Sequence, residues 1–169
     1  MFARCVPASL ALVLLGGAAC AKPAEQTAAA PPAVDSAAVK AAVSDVWARW
    51  VVADTAGNVE ALMALVGDSA RFDVRGMPPI IGRVDLRAAV APIFKSTKYT
   101  AMAITPEMTE VLSDALAYET GNYTETYVVN KKSMTDYGRY AAAVGKDADG
   151  QWRVMYMMAF ADSTVTAKP

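Results

Sequence analysis

The order of patterns along the chain predicts an α+β domain, with three helices first and a strongly curved antiparallel sheet after them. Three observations carry this reading. Apolar residues recur at steps of three and four in the first part of the folded segment. After Tyr99 they give way to long stretches rich in Thr, Tyr, Val and Met. Those stretches are separated by turn-forming clusters. The domain is expected over residues 35–163, with a short tail at 164–169.

Residues 1–20 read as an address. One charge, Arg4, precedes an apolar run broken by Pro7, Ser9 and Gly16-Gly17, too short for a membrane span. Gly17-Ala18-Ala19-Cys20 resembles a bacterial lipoprotein box, in which Cys20 is lipidated and becomes the mature N-terminus. As the alternative, Ala19-Cys20-Ala21 can be read as the small-x-small site of an ordinary secretory signal cleaved before Lys22. The protein is therefore expected to be exported, either lipid-anchored in a bacterial cell envelope or soluble in the periplasm or medium. Residues 21–34 are Ala- and Pro-rich with little to bury, and read as a tether.

The first helix is expected after Asp35, a suitable N-cap. Val39, Val43, Val46 and Trp50 form its apolar stripe, widened by Trp47 and Val51. Gly57 ends it, and Asn58 caps a short second helix carrying Val59, Leu62, Met63 and Val66. Ala70 to Val74 can form a strand, followed by an irregular loop at Gly76-Met77-Pro78-Pro79. A third helix follows Gly82 with the stripe Leu86, Val90, Ile93 and Phe94, and Pro92 is expected to kink or shorten it. From Tyr99 to Asp162, breaks at Ser113-Asp114, Asn130-Lys131-Lys132 and Asp147-Ala148-Asp149-Gly150 divide the chain into a four-stranded meander. Asp149-Gly150 supplies the positive φ that a tight hairpin needs. Asp147-x-Asp149-Gly150 lacks the third acid and the distal Glu of a calcium loop, so a turn is the better reading.

Composition excludes several chemistries. The chain has no His, so no Ser-His-Asp or Cys-His unit and no His-based zinc site can be built. Cys5 and Cys20 both precede the domain, which therefore has no thiol nucleophile and no disulfide. With 16 Lys+Arg scattered among 17 Asp+Glu, no basic stripe marks a nucleic-acid partner. No metal and no cofactor is expected.

The run Asp54-Thr-Ala-Gly-Asn-Val-Glu-Ala-Leu-Met-Ala-Leu-Val-Gly-Asp-Ser-Ala-Arg-Phe and the later Gly76-Met-Pro-Pro-Ile-Ile-Gly-Arg resemble the nuclear transport factor 2-like superfamily, particularly its SnoaL-like bacterial branch. Gly121-Asn-Tyr, Gly138-Arg-Tyr and Asp149-Gly-Gln-Trp-Arg-Val fall where that branch carries its strand signatures. The resemblance covers about Val39 to Asp162. It implies a cone, a bent sheet wrapped around a pocket and closed on one side by the helices. Relatives include ketosteroid isomerases, scytalone dehydratases, polyketide cyclases, limonene epoxide hydrolases and members that merely bind or dimerise. Counting from Gly57 and Gly150, the three proton-transfer positions of the steroid isomerases are here Trp50, Val74 and Ala142, and none is retained. Dehydratase chemistry of the scytalone type leans on histidine, which is absent.

Matching the strand Tyr118–Tyr127 to the isomerases turns Glu119, Gly121, Tyr123, Glu125 and Tyr127 toward the pocket, with Tyr140 from the next strand. Glu119 is the candidate acid or base: among Phe72, Val74, Phe94 and aromatic rings it would lose hydration. The alternative is a place at the open rim, hydrated or paired with Arg139 or Arg153. The expected ligand-binding set is Trp50, Phe72, Val74, Phe94, Tyr123, Tyr127, Tyr140, Met155 and Met157. The facing of the two methionines depends on whether the last strand carries a bulge. Tyr156, Met158 and Phe160 would form an apolar patch on the other face, suited to a homodimer.

Two functions fit these residues. The first is an exported domain that binds a small apolar or amphipathic molecule without catalysis. The second is a lyase, cyclase or isomerase in which Glu119 is the base and Tyr123, Tyr140 or Trp50 polarises a substrate oxygen. A protein-interaction module with a collapsed pocket is a third.

Overall fold

The computed structural model describes residues 33–166, so the expected leader, Cys20 and nearly all of the tether lie outside the described residues. Helix α1 spans Ser36–Thr55, and the Asp35 carboxylate accepts from the backbone N–H of Ala37 and Ala38 at 3.1 and 3.0 Å. Its buried face is Val39, Val43, Val46, Trp47, Trp50, Ala53 and Asp54, the expected stripe continued by one more turn. Gly57, at φ 62°, turns the chain into α2 (Val59–Met63), whose N-cap Asn58 accepts from Ala61 N–H at 3.0 Å.

Strand β1 (Val66–Val74) starts earlier than the expected Ala70. Val66 pairs with Val154, and the ladder is then interrupted before resuming at Arg71. Met155 packs directly over this backbone: a Cβ on Gly67 would stand 2.5 Å from the Met155 sulfur. After the Pro78-Pro79 loop the chain forms a two-residue strand, β2 (Ile80–Ile81), against Arg71 and Phe72, where no element was expected. Helix α3 (Gly82–Ser96) runs through Pro92 rather than ending there. Ala88 and Pro92 are both outside the core, so water can take the carbonyl that the proline leaves without a donor.

The meander is β3 (Thr97–Ser113), β4 (Leu116–Val129), β5 (Lys132–Lys146) and β6 (Trp152–Thr166). Strand β6 continues past 163, so residues 164–166 belong to the sheet rather than to a tail. The order is β2-β1-β6-β5-β4-β3, antiparallel except where β1 runs parallel to β6. Three irregularities along β3/β4 and two along β5/β6 bend the long strands. The helices cover the concave side, and the core lies between α1 and the sheet around Val43, Val46, Phe72, Val144 and Val154.

One irregularity settles the facing of the last strand. The register with β5 shifts between Ala143/Tyr156 and Val144/Val154, leaving Met155 as the extra residue. Val154 before the bulge and Met157 after it therefore both face the helices, and Met155 lies instead against Gly67 and Gly145.

The two Gly-x-Tyr signatures also have a steric cause. Gly121 is the cross-strand partner of Tyr140, and Gly138 that of Tyr123. A Cβ on Gly138 would stand 2.5 Å from the Tyr123 ring and from Phe160 O, and one on Gly121 would collide with Thr105 O, Pro106 and the Tyr140 ring. Each tyrosine thus lies across the bare backbone of its neighbour, which aims both phenols along the concave face.

Candidate functional site

Between α1, α3 and the concave sheet lies a half-enclosed cavity of about 230 Å³. Its walls come from every layer: Trp47 and Trp50 of α1, Leu86, Val90, Ile93 and Phe94 of α3, and inward residues of β1, β3, β4, β5 and β6. The helical contribution follows from spacing, since Trp47, Trp50 and Asp54 recur at steps of three and four on one face of α1. The aromatic rings brace one another. Trp47 meets Trp50 and Tyr140 edge-on at 5.9 and 5.5 Å, and Trp50 stacks on Phe72 at 6.3 Å.

Of the expected ligand-binding residues, Trp50, Phe72, Val74, Phe94, Tyr123, Tyr140 and Met157 line this cavity. Met155 does not, for the reason given by the bulge. Tyr127 stands one step beyond the wall, its ring 5.9 Å from Tyr99 and its hydroxyl 3.4 Å from both Asp136 carboxylate oxygens.

Glu119 is placed differently from both expectations. It is 2% exposed, so it is neither at a hydrated rim nor paired with an arginine; Arg139 pairs with Asp162 and Arg153 with Asp149. It also lies away from Phe72, Val74 and Phe94, in a separate recess with Trp47, Ile104 and Thr109. Oε1 accepts the Tyr140 hydroxyl at 2.7 Å and Oε2 the Thr109 hydroxyl at 2.6 Å. Each carboxylate oxygen is thus held by one O–H donor, and the carboxylate fixes the phenol that lines the cavity. Burial, then this hydrogen bond, pushes the Tyr140 phenol up, so it stays protonated.

The polar feature of the cavity is a different pair of acids. Asp54, in the last turn of α1, and Glu125 of β4 both line it. Asp54 is 6% exposed, and its Oδ2 is fully buried with no hydrogen-bond partner among the described residues. The two carboxyls stand close enough to perturb each other, and two negative charges side by side in an apolar wall favour a single shared proton. Burial raises both, Asp54 to about 6 and Glu125 to about 8. Asp54 and Asp136, the cross-strand neighbour of Glu125, add charge repulsion to its rise. The pair therefore loses its protons in two separate steps and carries a single proton near neutrality.

Beside the pair, burial first and the Glu125 charge second push the phenols of Tyr99 and Tyr123 up, the latter to about 12. Both remain hydrogen-bond donors. No Lys or Arg lines the cavity among the described residues. The site thus combines an apolar shell, phenolic donors and an acid pair able to give or take one proton.

Sequence reasoning singled out Glu119 and missed this pair, although the signals for it were present. Asp54 falls four residues after Trp50, at the next position of the α1 stripe, where an acid has to be buried. Glu125 belongs to the inward-facing set of β4 together with Glu119.

The fold has many solved counterparts. A putative scytalone dehydratase from Novosphingobium aromaticivorans superposes with a TM-score of 0.67 at 15% identity, over 79% of this chain and 90% of that one. A ketosteroid isomerase-like protein from Erwinia carotovora atroseptica does so at 0.65 and 16% identity, over 73% and 95%. A protein of unknown function from Shewanella oneidensis, described as NTF-2 like, gives 0.60 at 16% identity, over 72% and 98%. The chain has the nuclear transport factor 2-like fold. No protein-family model and no curated protein matches the sequence.

Proposed function

We propose that the protein is an exported binder of a small, largely apolar molecule, seated in the cone with its polar end at Asp54 and Glu125. The observation that supports this best is the hollow itself. A cavity of about 230 Å³ exceeds the roughly 150 Å³ that admits benzene, and its aromatic walls leave room for a ring-sized body. A protein-interaction module with a collapsed pocket does not fit such a hollow. Trp47 and Trp50 in the wall provide the test. Titration with 3-phenylpropan-1-ol should change tryptophan fluorescence saturably and raise the melting temperature, and Ala159→Phe, which fills the cavity from β6, should abolish both. A wild-type protein unmoved by such ligands would refute the reading.

A second reading is favoured by the acid pair. A singly protonated carboxyl pair in an apolar pocket is suited to moving a proton near neutral pH, as lyases and isomerases require. The base would then be Asp54 or Glu125; Glu119, occupied by two hydroxyl donors, would position Tyr140. Exchange of the α-hydrogens of cyclohexanone in D₂O, followed by NMR, should be faster with the wild-type protein than with Asp54→Asn. Equal rates would remove the catalytic reading and leave binding standing.

Export and anchoring rest on residues 1–20. Radiolabelled palmitate incorporation that disappears in Cys20→Ala would support a lipoprotein, whereas a mature N-terminus at Lys22 would support ordinary secretion.

A further inference from the structure

The cavity's electrostatics are one-sided, and this bears on which polar end it accepts. Asp54 and Glu125 stand in its wall, and no Lys or Arg among the described residues lines it. Asp54 is only 6% exposed, yet Oδ2 has no hydrogen-bond partner among the described residues. A buried acceptor of this kind is costly unless something supplies a donor. The same cavity is walled by the rings of Trp50, Phe72, Tyr99 and Tyr123.

We infer that the cavity takes an organic ammonium, an apolar body of about one ring bearing a positively charged nitrogen that seats against Asp54 and Glu125 among these aromatic faces. This rests on the binding reading above and adds the class of ligand.

Each alternative head group meets an obstacle. A carboxylate or phosphate would face two acids with no cation to hold it. A neutral alcohol offers one donor and leaves the negative charge of the pair uncompensated. An ammonium brings several N–H donors, the missing counter-charge and attraction to the electron-rich ring faces. Its arrival removes the reason for the pair to share a proton, so that proton leaves to solvent and both carboxylates accept from the ligand.

The charged and titratable surroundings agree with this from every side. Facing the pair are Tyr99 from β3, Tyr123 and Tyr127 from β4 and Asp136 from β5, all neutral or negative near pH 7. Arg75 borders the outer recess shared with Glu125 and Asp136 and is exposed. Lys95, Lys98 and Lys131 border a different outer recess beside Phe94 and Tyr99 and are also exposed. None of these four cations lines the cavity.

Isothermal titration calorimetry with three ligands of one shape tests the inference: 3-phenylpropylammonium, 3-phenylpropan-1-ol and 3-phenylpropanoate. At pH 7.5 the amine should bind roughly tenfold more tightly than the alcohol and the carboxylate more weakly than either. Buffers of different ionisation enthalpy should show proton release with the amine alone. At pH 5, where the pair holds both protons, the amine's advantage should shrink in the wild-type protein, and Glu125→Gln should shrink it at pH 7.5. An alcohol that binds as tightly as the amine, or an advantage indifferent to both pH and Glu125→Gln, would overturn the inference while leaving the binding reading intact. Failure of all three ligands to bind would overturn both.

Discussion

Three buried or half-buried acids do different things here, and their neighbours decide which. Glu119 faces two hydroxyls and serves as an anchor. Glu119→Ala would strand the Tyr140 and Thr109 hydroxyls and open a void, an expected loss of about 2–4 kcal/mol; Glu119→Gln, which keeps an acceptor, should lose less. Urea denaturation of both variants checks the order. Asp54 and Glu125 face each other and a greasy wall, so their effect depends on pH. Both have folded values raised above the ordinary 3.8 and 4.5. At these two groups the folded chain binds more protons than the unfolded one between about pH 4 and 8, so their contribution to stability falls as pH rises through that window. A tenfold change in proton affinity is worth about 1.4 kcal/mol, so the loss is on the order of a few kcal/mol. Asp54→Asn or Glu125→Gln should flatten the fall and make the protein more stable than wild type at pH 8; a parallel loss in all three proteins would contradict this. Asp54 was legible in the stripe spacing of α1, and Glu125 in the alternation of β4. Their meeting was not, because it depends on how far the sheet curls toward the helix.

At the scale of elements, periodicity reported helices and the meander well, and it failed where tertiary contact overrides local preference. Strand β1 begins at Val66 because Val154, far along the chain, pairs with it. Helix α3, by contrast, follows its stripe to Phe94 through Pro92, because the orphaned carbonyl faces water. The bulge at Met155 reverses which residues of β6 face inward, and no local pattern announces it in a strand apolar on both sides. The Gly-x-Tyr signatures, by contrast, were visible in sequence and are now explained by packing. Gly138→Ala should push the Tyr123 ring aside and press on Phe160 O, at an expected cost of about 1–3 kcal/mol. It should also weaken binding of 3-phenylpropan-1-ol, since Tyr123 lines the cavity. A fluorescence titration and a denaturation curve on the same sample separate the two effects.

The whole molecule presents two unlike surfaces of one sheet. The concave side holds the cavity; the other side carries Met158, 40% exposed, flanked along the strand by half-buried Tyr156 and by Phe160, over which Arg139 lies 5.0 Å from the ring centroid. Should this face pair two copies, sedimentation would show a dimer that Met158→Glu converts to monomer without changing the melting temperature of the separated subunit. A wild-type monomer at micromolar concentration would dispose of that pairing.

The chemistry of the cavity turns on one proton held between Asp54 and Glu125 in an apolar hollow. Isotope-edited infrared spectroscopy of ¹³C-labelled carboxyls reads it directly. At pH 7 the wild-type protein should retain a protonated carboxylic acid band that both Asp54→Asn and Glu125→Gln abolish. If every carboxyl of the wild type is ionised by pH 5.5, the pair does not share a proton and the central claim fails.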